Sequence, residues 1–162
     1  MSENMSDLQK LQDPVAQEML NSTHLARLAY TWHDGTPRVI PIWFHWDGKN
    51  IVMGTPLTAP KCNLLSDGAP VAITIDGEQW PYHALTIRGT AHTETVKGVV
   101  PEYAKAAERY FGVDQGRAWV GNVSQMFTHM FRIAVRPERV SILDFETRFP
   151  SAIAAAMSGQ QG

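Results

Sequence analysis

The chain has 162 residues, a length that suits one domain with its own core. It is 44% hydrophobic and 19% charged with a formal net charge of −2, which argues against a nucleic-acid surface as its main business. One cysteine, Cys62, excludes an intramolecular disulfide and a cysteine metal cluster, and it suits a reducing, cytoplasmic setting.

The opening residues MSENMSDLQKLQ hold no apolar core of a signal peptide, and no apolar run approaches membrane-spanning length. Asp13-Pro14 reads as an N-cap followed by a first-turn proline, so a helix is predicted over about 14–21. His24 to Trp32 reads as a first strand, and His33-Asp34-Gly35-Thr36 as a hairpin turn. Arg38 to Trp46 is rich in β-branched and aromatic residues and reads as a second strand. Pro41 within it cannot donate to a ladder, so an edge or bulged position is expected there. Alternation sets Arg38, Ile40, Ile42, Phe44 and Trp46 on one face and Val39, Pro41, Trp43 and His45 on the other. Both faces are largely apolar, so both are expected to be covered, one of them by a second subunit.

Asp47-Gly48 turns the chain into a third strand, Ile51 to Thr55. A short helix is expected over about 60–66, with Pro60 in its first turn and Gly68 beyond its end. Pro70 to Asp76 and Tyr82 to Glu94 read as strands, separated by the loop Gly77-Glu78-Gln79-Trp80-Pro81. Pro101 to Phe111 is a helix bounded by its proline and by Gly112. A second, short helix is expected within Gly116 to Thr128. His129 to Val135 and Glu138 to Phe145 read as two closing strands split by Arg136-Pro137, and an Ala-rich tail begins at Ser151. A run of short strands with a few helices outside predicts a mainly β protein, a β-barrel with peripheral helices.

Residues 37–66 carry the chemistry. A lysine in a helix's first turn, Lys61, opposes the macrodipole, and an anion bound there would remove the conflict. Thr55 and Thr58 would add hydroxyl donors and Arg38 a guanidinium. The plain alternative is a hairpin-to-helix connection with a solvated Lys61, since no Gly-rich phosphate loop is present.

The ordered segments PRVIPIWFHWDGKNIVMGT, PKCNLL, PVAITID and LTIRGTAH resemble the flavin-binding split-barrel superfamily, which holds pyridoxamine-phosphate-oxidase-like proteins and F420-dependent reductases. The resemblance runs from about Leu25 to Phe145. It implies one split-barrel domain over 1–162 with six or seven antiparallel Greek-key strands: a helical arm over 1–22, the barrel over 24–146 and a tail over 150–162. It also implies a homodimer that binds FMN, or alternatively F420, and transfers a hydride to or from a small organic substrate. A non-catalytic flavin- or tetrapyrrole-binding protein is the reading from another class. Carried over by position, Arg38, Val39, Ile40, Pro41, Ile42 and Trp43 line the cofactor, Gly54 and Thr55 follow on the next strand, and Thr58, Pro60 and Lys61 meet its phosphate. Backbone N–H groups around Pro41 to Trp43 would serve the ring nitrogens.

Three positions depart from the vitamin-processing enzymes. Pro60 replaces the first residue of the family's Arg-Lys phosphate pair, Trp43 replaces a lysine shared by flavin and substrate, and Ala84 replaces a glutamine. Oxidation of pyridoxamine phosphate itself is therefore not expected. Trp80 and Tyr82, with His83, are candidates to reach the cofactor from a partner subunit. Trp119 is weighed as a pocket wall against core packing, and the latter is favoured. The six histidines show no metal-ligand spacing.

Overall fold

Seven strands form one antiparallel sheet in the computed structural model, which describes residues 6–58 and 64–159. They are β1 (Ala26–Thr31), β2 (Pro37–Ile42), β3 (His45–Trp46), β4 (Ile51–Leu57), β5 (Pro70–Asp76), β6 (His83–Lys97) and β7 (His129–Asp144). In space their order is β2-β1-β5-β6-β7-β4-β3. The two end strands are consecutive pieces of one chain segment, so the sheet closes on itself through Trp43 and Phe44. This is the expected barrel, with closure made by chain continuity at one seam rather than by a ladder.

Alternation fills the interior. Leu28, Ile73, Ile75, Leu85 and Ile87 are fully buried, and Ala16, Met19 and Leu20 of α2 (Pro14–Leu20) join the same cluster. Asp13 caps α2 as expected, accepting from the Val15 N–H at 3.0 Å. It is preceded by a single turn, α1 (Asp7–Lys10). Two further helices, α3 (Pro101–Phe111) and α4 (Val113–Met126), form a second, smaller core around Val100, Tyr103, Val123 and Met130. A last helix, α5 (Ser151–Gly159), occupies the Ala-rich tail.

Four expectations need correction. The second strand is not continuous. It pairs with β1 as far as Ile42, breaks at Trp43-Phe44, and resumes as β3 against β4. The two closing strands are one, β7, because Glu138 is accommodated as a bulge opposite Arg88 and Gly89. The second helix is longer than expected and starts directly at Val113. Finally, the helix expected over 60–66 does not extend across 64–66, which are bend and coil. Gly68 is not a helix stop; its N–H donates to the Ala91 carbonyl at 2.8 Å in a turn against β6. Residues 59–63, and with them Pro60, Lys61 and Cys62, lie outside the described residues.

Arg109 on α3 secures the break. Its Nε donates to the Ser22 carbonyl at 2.9 Å and its Nη2 to the Phe44 carbonyl, while its guanidinium lies 4.8 Å from the Phe44 ring centroid. Phe44 is fully buried, so its carbonyl needs this donor once the strand has left its ladder. Arg109→Ala is expected to lower unfolding stability by about 2 kcal/mol. Urea denaturation checks it, and a loss below about 0.5 kcal/mol would mean another donor takes over the carbonyl.

Candidate functional site

The break in the second strand opens a split in the barrel wall. β3 pairs with β4 as His45 with Val52 and Trp46 with Ile51. The same register would set Trp43 opposite Gly54 and Ile42 opposite Thr55, but β2 turns away to join β1. β4 continues to Leu57 with β7 alone on its other side. Among the described residues, β2 and the second half of β4 therefore face each other as two strand edges without a ladder. On such an edge every second residue points its N–H and C=O outward, available to a ligand. Pro41 lies on this edge, as its missing N–H predicts.

The sequence-predicted residues divide around this split. Ile40 and Ile42 point inward and pack on the main core, whereas Val39, 64% accessible, and Pro41 face outward. Arg38 is exposed at the start of β2, 3.6 Å from Asp34 and over the Trp32 ring. Trp43, beside them, is half-buried. Its ring packs against Tyr103, Tyr110 and Phe111 of α3, with centroids 5.4, 5.2 and 5.0 Å away. Gly54 is buried beside it, and a Cβ there would lie 3.3 Å from Met130 and Tyr103. Thr55 is half-buried and Thr58 exposed at the far end of β4. Trp119 donates its indole N–H to the Tyr103 hydroxyl at 2.8 Å, and burial raises the Tyr103 pKa, keeping that phenol neutral. Trp119 thus braces the helical hairpin. Trp80 and Tyr82 stand apart from the split, in an exposed aromatic group with Phe145 and Phe149.

The family model for pyridoxamine 5'-phosphate oxidase matches residues 13–142. The chain belongs to this family. None of the curated proteins matches it. Among solved structures it is similar to an F420 reductase, at 24% identity and TM-score 0.54, with 77% of this chain and 94% of that chain covered. It is similar to HutZ, a heme storage protein from Vibrio cholerae, at 16% identity and TM-score 0.56, with 85% and 95% covered. A FAD- and heme-binding protein from Mycobacterium smegmatis shares 17% identity and TM-score 0.54, with 88% and 75% covered. Identities this low establish the shared fold alone.

Within this pyridoxamine-phosphate-oxidase-like fold, a second region was not read from the sequence. The outer face of β2, β1, β5, β6 and β7 is a run of mostly small side chains: Val39, Ala29, Ala72, Thr74, Thr86 and Ser141, set side by side by the register. One end carries Arg88 and Arg139, the latter 3.2 Å from Asp7, and at the other Arg27 bridges Asp76 at 2.5 Å and Glu78 at 3.6 Å. Beside that second end, His83 sits among carboxylates. Its Nδ1 is 3.0 Å from Glu18, and its Nε2 is 3.2 Å from Glu146 and 3.4 Å from Asp144. The carboxylates come from α2 and from the end of β7, so no local spacing announced them. Among the described residues, no group of His, Cys, Asp and Glu is placed to hold a metal ion, and no helix is long and apolar enough to cross a membrane.

Proposed function

We propose that this chain is a flavin-dependent oxidoreductase that holds FMN in the split between β2 and β4 and exchanges a hydride with a small organic molecule. The observation that carries the reading is the pair of unladdered strand edges, Arg38–Ile42 and Gly54–Leu57, which offer backbone donors and acceptors to a flat polar ring. Thr58 and Arg38, at the open ends of the two edges, would meet its phosphate with Lys61 next along the chain, and Thr55 lies nearer the closed end, opposite Ile42 in the continued register. The ring system supplies the redox chemistry when bound. The protein's part is to orient it, to bind its phosphate and, through Ile40, Ile42 and the α3 aromatics, to wall it from water.

Arg38 is the only titratable side chain among Arg38–Trp43 and Gly54–Thr58. That absence of a proton donor also suits the second reading, a non-catalytic flavin or tetrapyrrole binder. F420 is the alternative cofactor, since it too presents a phosphate and a flat tricyclic ring. The deciding experiment is the visible spectrum and mass of whatever copurifies, followed by titration with FMN and with F420. Reoxidation of bound cofactor faster with an organic acceptor than with oxygen supports the enzyme; oxygen-limited reoxidation with every acceptor tested supports the binder.

Lys61→Ala should weaken cofactor binding roughly ten- to a hundredfold, the value of one charge-assisted phosphate contact. Fluorescence titration with each cofactor reads it. Unchanged affinity for both would remove Lys61 from the site.

The reading includes a homodimer in a cytoplasmic setting, with Trp80 and Tyr82 reaching the partner's split. The bare outer face supports it. A two-fold axis across that face would set its row of small side chains, Ala29, Ala72, Thr74, Thr86 and Ser141, against the same row of the other copy. Light scattering should give twice the chain mass at micromolar concentration, and a monomer mass would count against the whole arrangement.

A further inference from the structure

We infer that α1 is a hinged strap whose side chains stand in for a strand along the free edge of β7, and that it keeps this edge from pairing with the same edge of another copy. β4 pairs with β7 only over His129–Val135, so beyond Val135 β7 has β6 alone as a ladder neighbour. Residues along that stretch point their N–H and C=O alternately toward β6 and away from it. Val140 is one that points away. Its N–H donates to Asp7 Oδ1 at 2.9 Å, and its carbonyl accepts from Lys10 Nζ at 3.3 Å. A neighbouring strand would exchange the same two bonds with an edge residue. Here a carboxylate and an ammonium, three residues apart on α1, supply them. Arg139 donates to the other Asp7 oxygen at 3.2 Å. The Val140 N–H is the foremost reason that the Asp7 carboxyl is held below the usual carboxylate range.

The far end of the same edge is closed by the chain itself. The Asp144 carbonyl accepts from the Arg148 N–H at 3.2 Å, and the two residues form an isolated bridge. Ile142 lies midway and by alternation points its polar groups to the same side. Among the described residues, no loop backbone meets them. The stretch Val140–Leu143 carries no charged side chain of its own to repel another strand, so the charges that guard this edge come from outside it.

α1 is held lightly. It is four residues long and none of them is buried. Leu11, just beyond it, is buried in the main core, and its carbonyl accepts from Gln17 Nε2 at 2.6 Å. Leu11 is therefore the hinge, and Asp7 and Lys10 hold what precedes it. A segment without buried apolar contacts opens independently of the rest of the fold. The edge it uncovers is complementary to itself. An antiparallel copy centred on Ile142 sets Ile142 against Ile142 and Val140 against Asp144, and each edge supplies the donors and acceptors that the other lacks.

The test uses the full-length protein. In Asp7→Ala with Lys10→Ala, hydrogen exchange at the Val140 amide in dilute solution should speed up roughly ten- to a hundredfold, the value of one charge-assisted bond. The Ser141 amide, turned toward Thr86 of β6, should exchange as before. Raising the concentration should give species larger than the wild-type assembly on sedimentation, and in these the Ile142 amide should become protected. Asp7→Asn keeps an acceptor for Val140 and should retain most of the protection. Unchanged Val140 exchange in the double variant would overturn the strap. So would Asp7→Asn exchanging as fast as the double variant, since the hold would then be the ion pair with Arg139 alone. Absence of larger species, or larger species in which Ile142 exchanges freely, would overturn the edge pairing.

Discussion

Gly89→Ala is expected to lower stability by roughly 3 kcal/mol or more, one of the largest effects of any single methyl group in this chain. Gly89 lies in β6 at the bulge, and a Cβ there would meet the Arg136 carbonyl oxygen at 2.1 Å and its carbon at 3.1 Å. Those are backbone atoms of the paired strand, so relief requires moving the ladder rather than turning a side chain. The β6–β7 ladder spans His83 to Lys97, the longest pairing in the sheet, and it carries the pairs Ile87–Val140 and Ala91–Val135 into the core on either side of the bulge. Gly121→Ala is the control. A Cβ on Gly121 meets nothing within 4 Å, and the residue is interior to α4, so alanine should stabilise by about 0.5–1 kcal/mol. Thermal melting distinguishes them: the midpoint should fall by about 10 °C for the first and rise slightly for the second. A Gly89→Ala midpoint within about 2 °C of the wild type would show that β7 yields easily at the bulge.

That bulge also shows where reading the sequence stops. Arg136-Pro137 looks like a strand break because a window of a few residues sees only a proline. The residue that makes continuity possible, Gly89, lies on another strand. The break at Trp43-Phe44 was hidden for the opposite reason. The apolar alternation through Arg38 to Trp46 is unbroken, since periodicity reports which face is buried and not which strand supplies the hydrogen bonds. Arg109, which satisfies the freed Phe44 carbonyl, is distant in the chain and carries no motif. Local chemistry was legible where a residue acts on its own backbone: Asp13 and Pro14 at α2, Pro101 and Gly112 at the ends of α3, and Pro41 on an edge. The order of the segments was enough to name the family. Trp43, by contrast, was assigned to the cofactor by position alone, and only the structure revealed that its ring packs on α3. The carboxylates around His83 were invisible for the same reason as Arg109, because three separate stretches of chain bring them together.

Asp144→Asn is expected to cost about 2–3 kcal/mol at neutral pH and to flatten the acid limb of the stability curve. Asp144 closes the C-terminal end of β7, and its side chain is only 4% accessible. One oxygen accepts from the backbone N–H groups of Glu146 and Thr147 at 2.9 and 3.0 Å. The other accepts from the Thr147 hydroxyl at 2.6 Å and from Arg148 Nε at 3.2 Å. Foremost the Thr147 hydroxyl, then these N–H groups and Arg148, hold its carboxyl far below the usual carboxylate range, against the opposing effect of burial. An asparagine keeps the shape but turns an NH₂ toward donors, so at least one partner is left unsatisfied. The sign of the pH effect follows from the depressed pKa. The stabilisation is fully present above the unfolded value near pH 4, and it is lost as pH falls toward the folded value. Asp13, held low chiefly by Arg148, titrates in the same direction, so both proteins weaken in acid and the informative quantity is their difference. Urea denaturation of wild type and Asp144→Asn at pH 7 and again near pH 3 should show that difference shrinking as the pH falls. A difference constant across that range would mean that Asp144 contributes through shape rather than charge. The same change loosens the turn that leads to Arg148 and the start of α5. Cofactor affinity in the split, on the other side of the sheet seam, should be unaffected, which separates a defect in this corner from one in the proposed site.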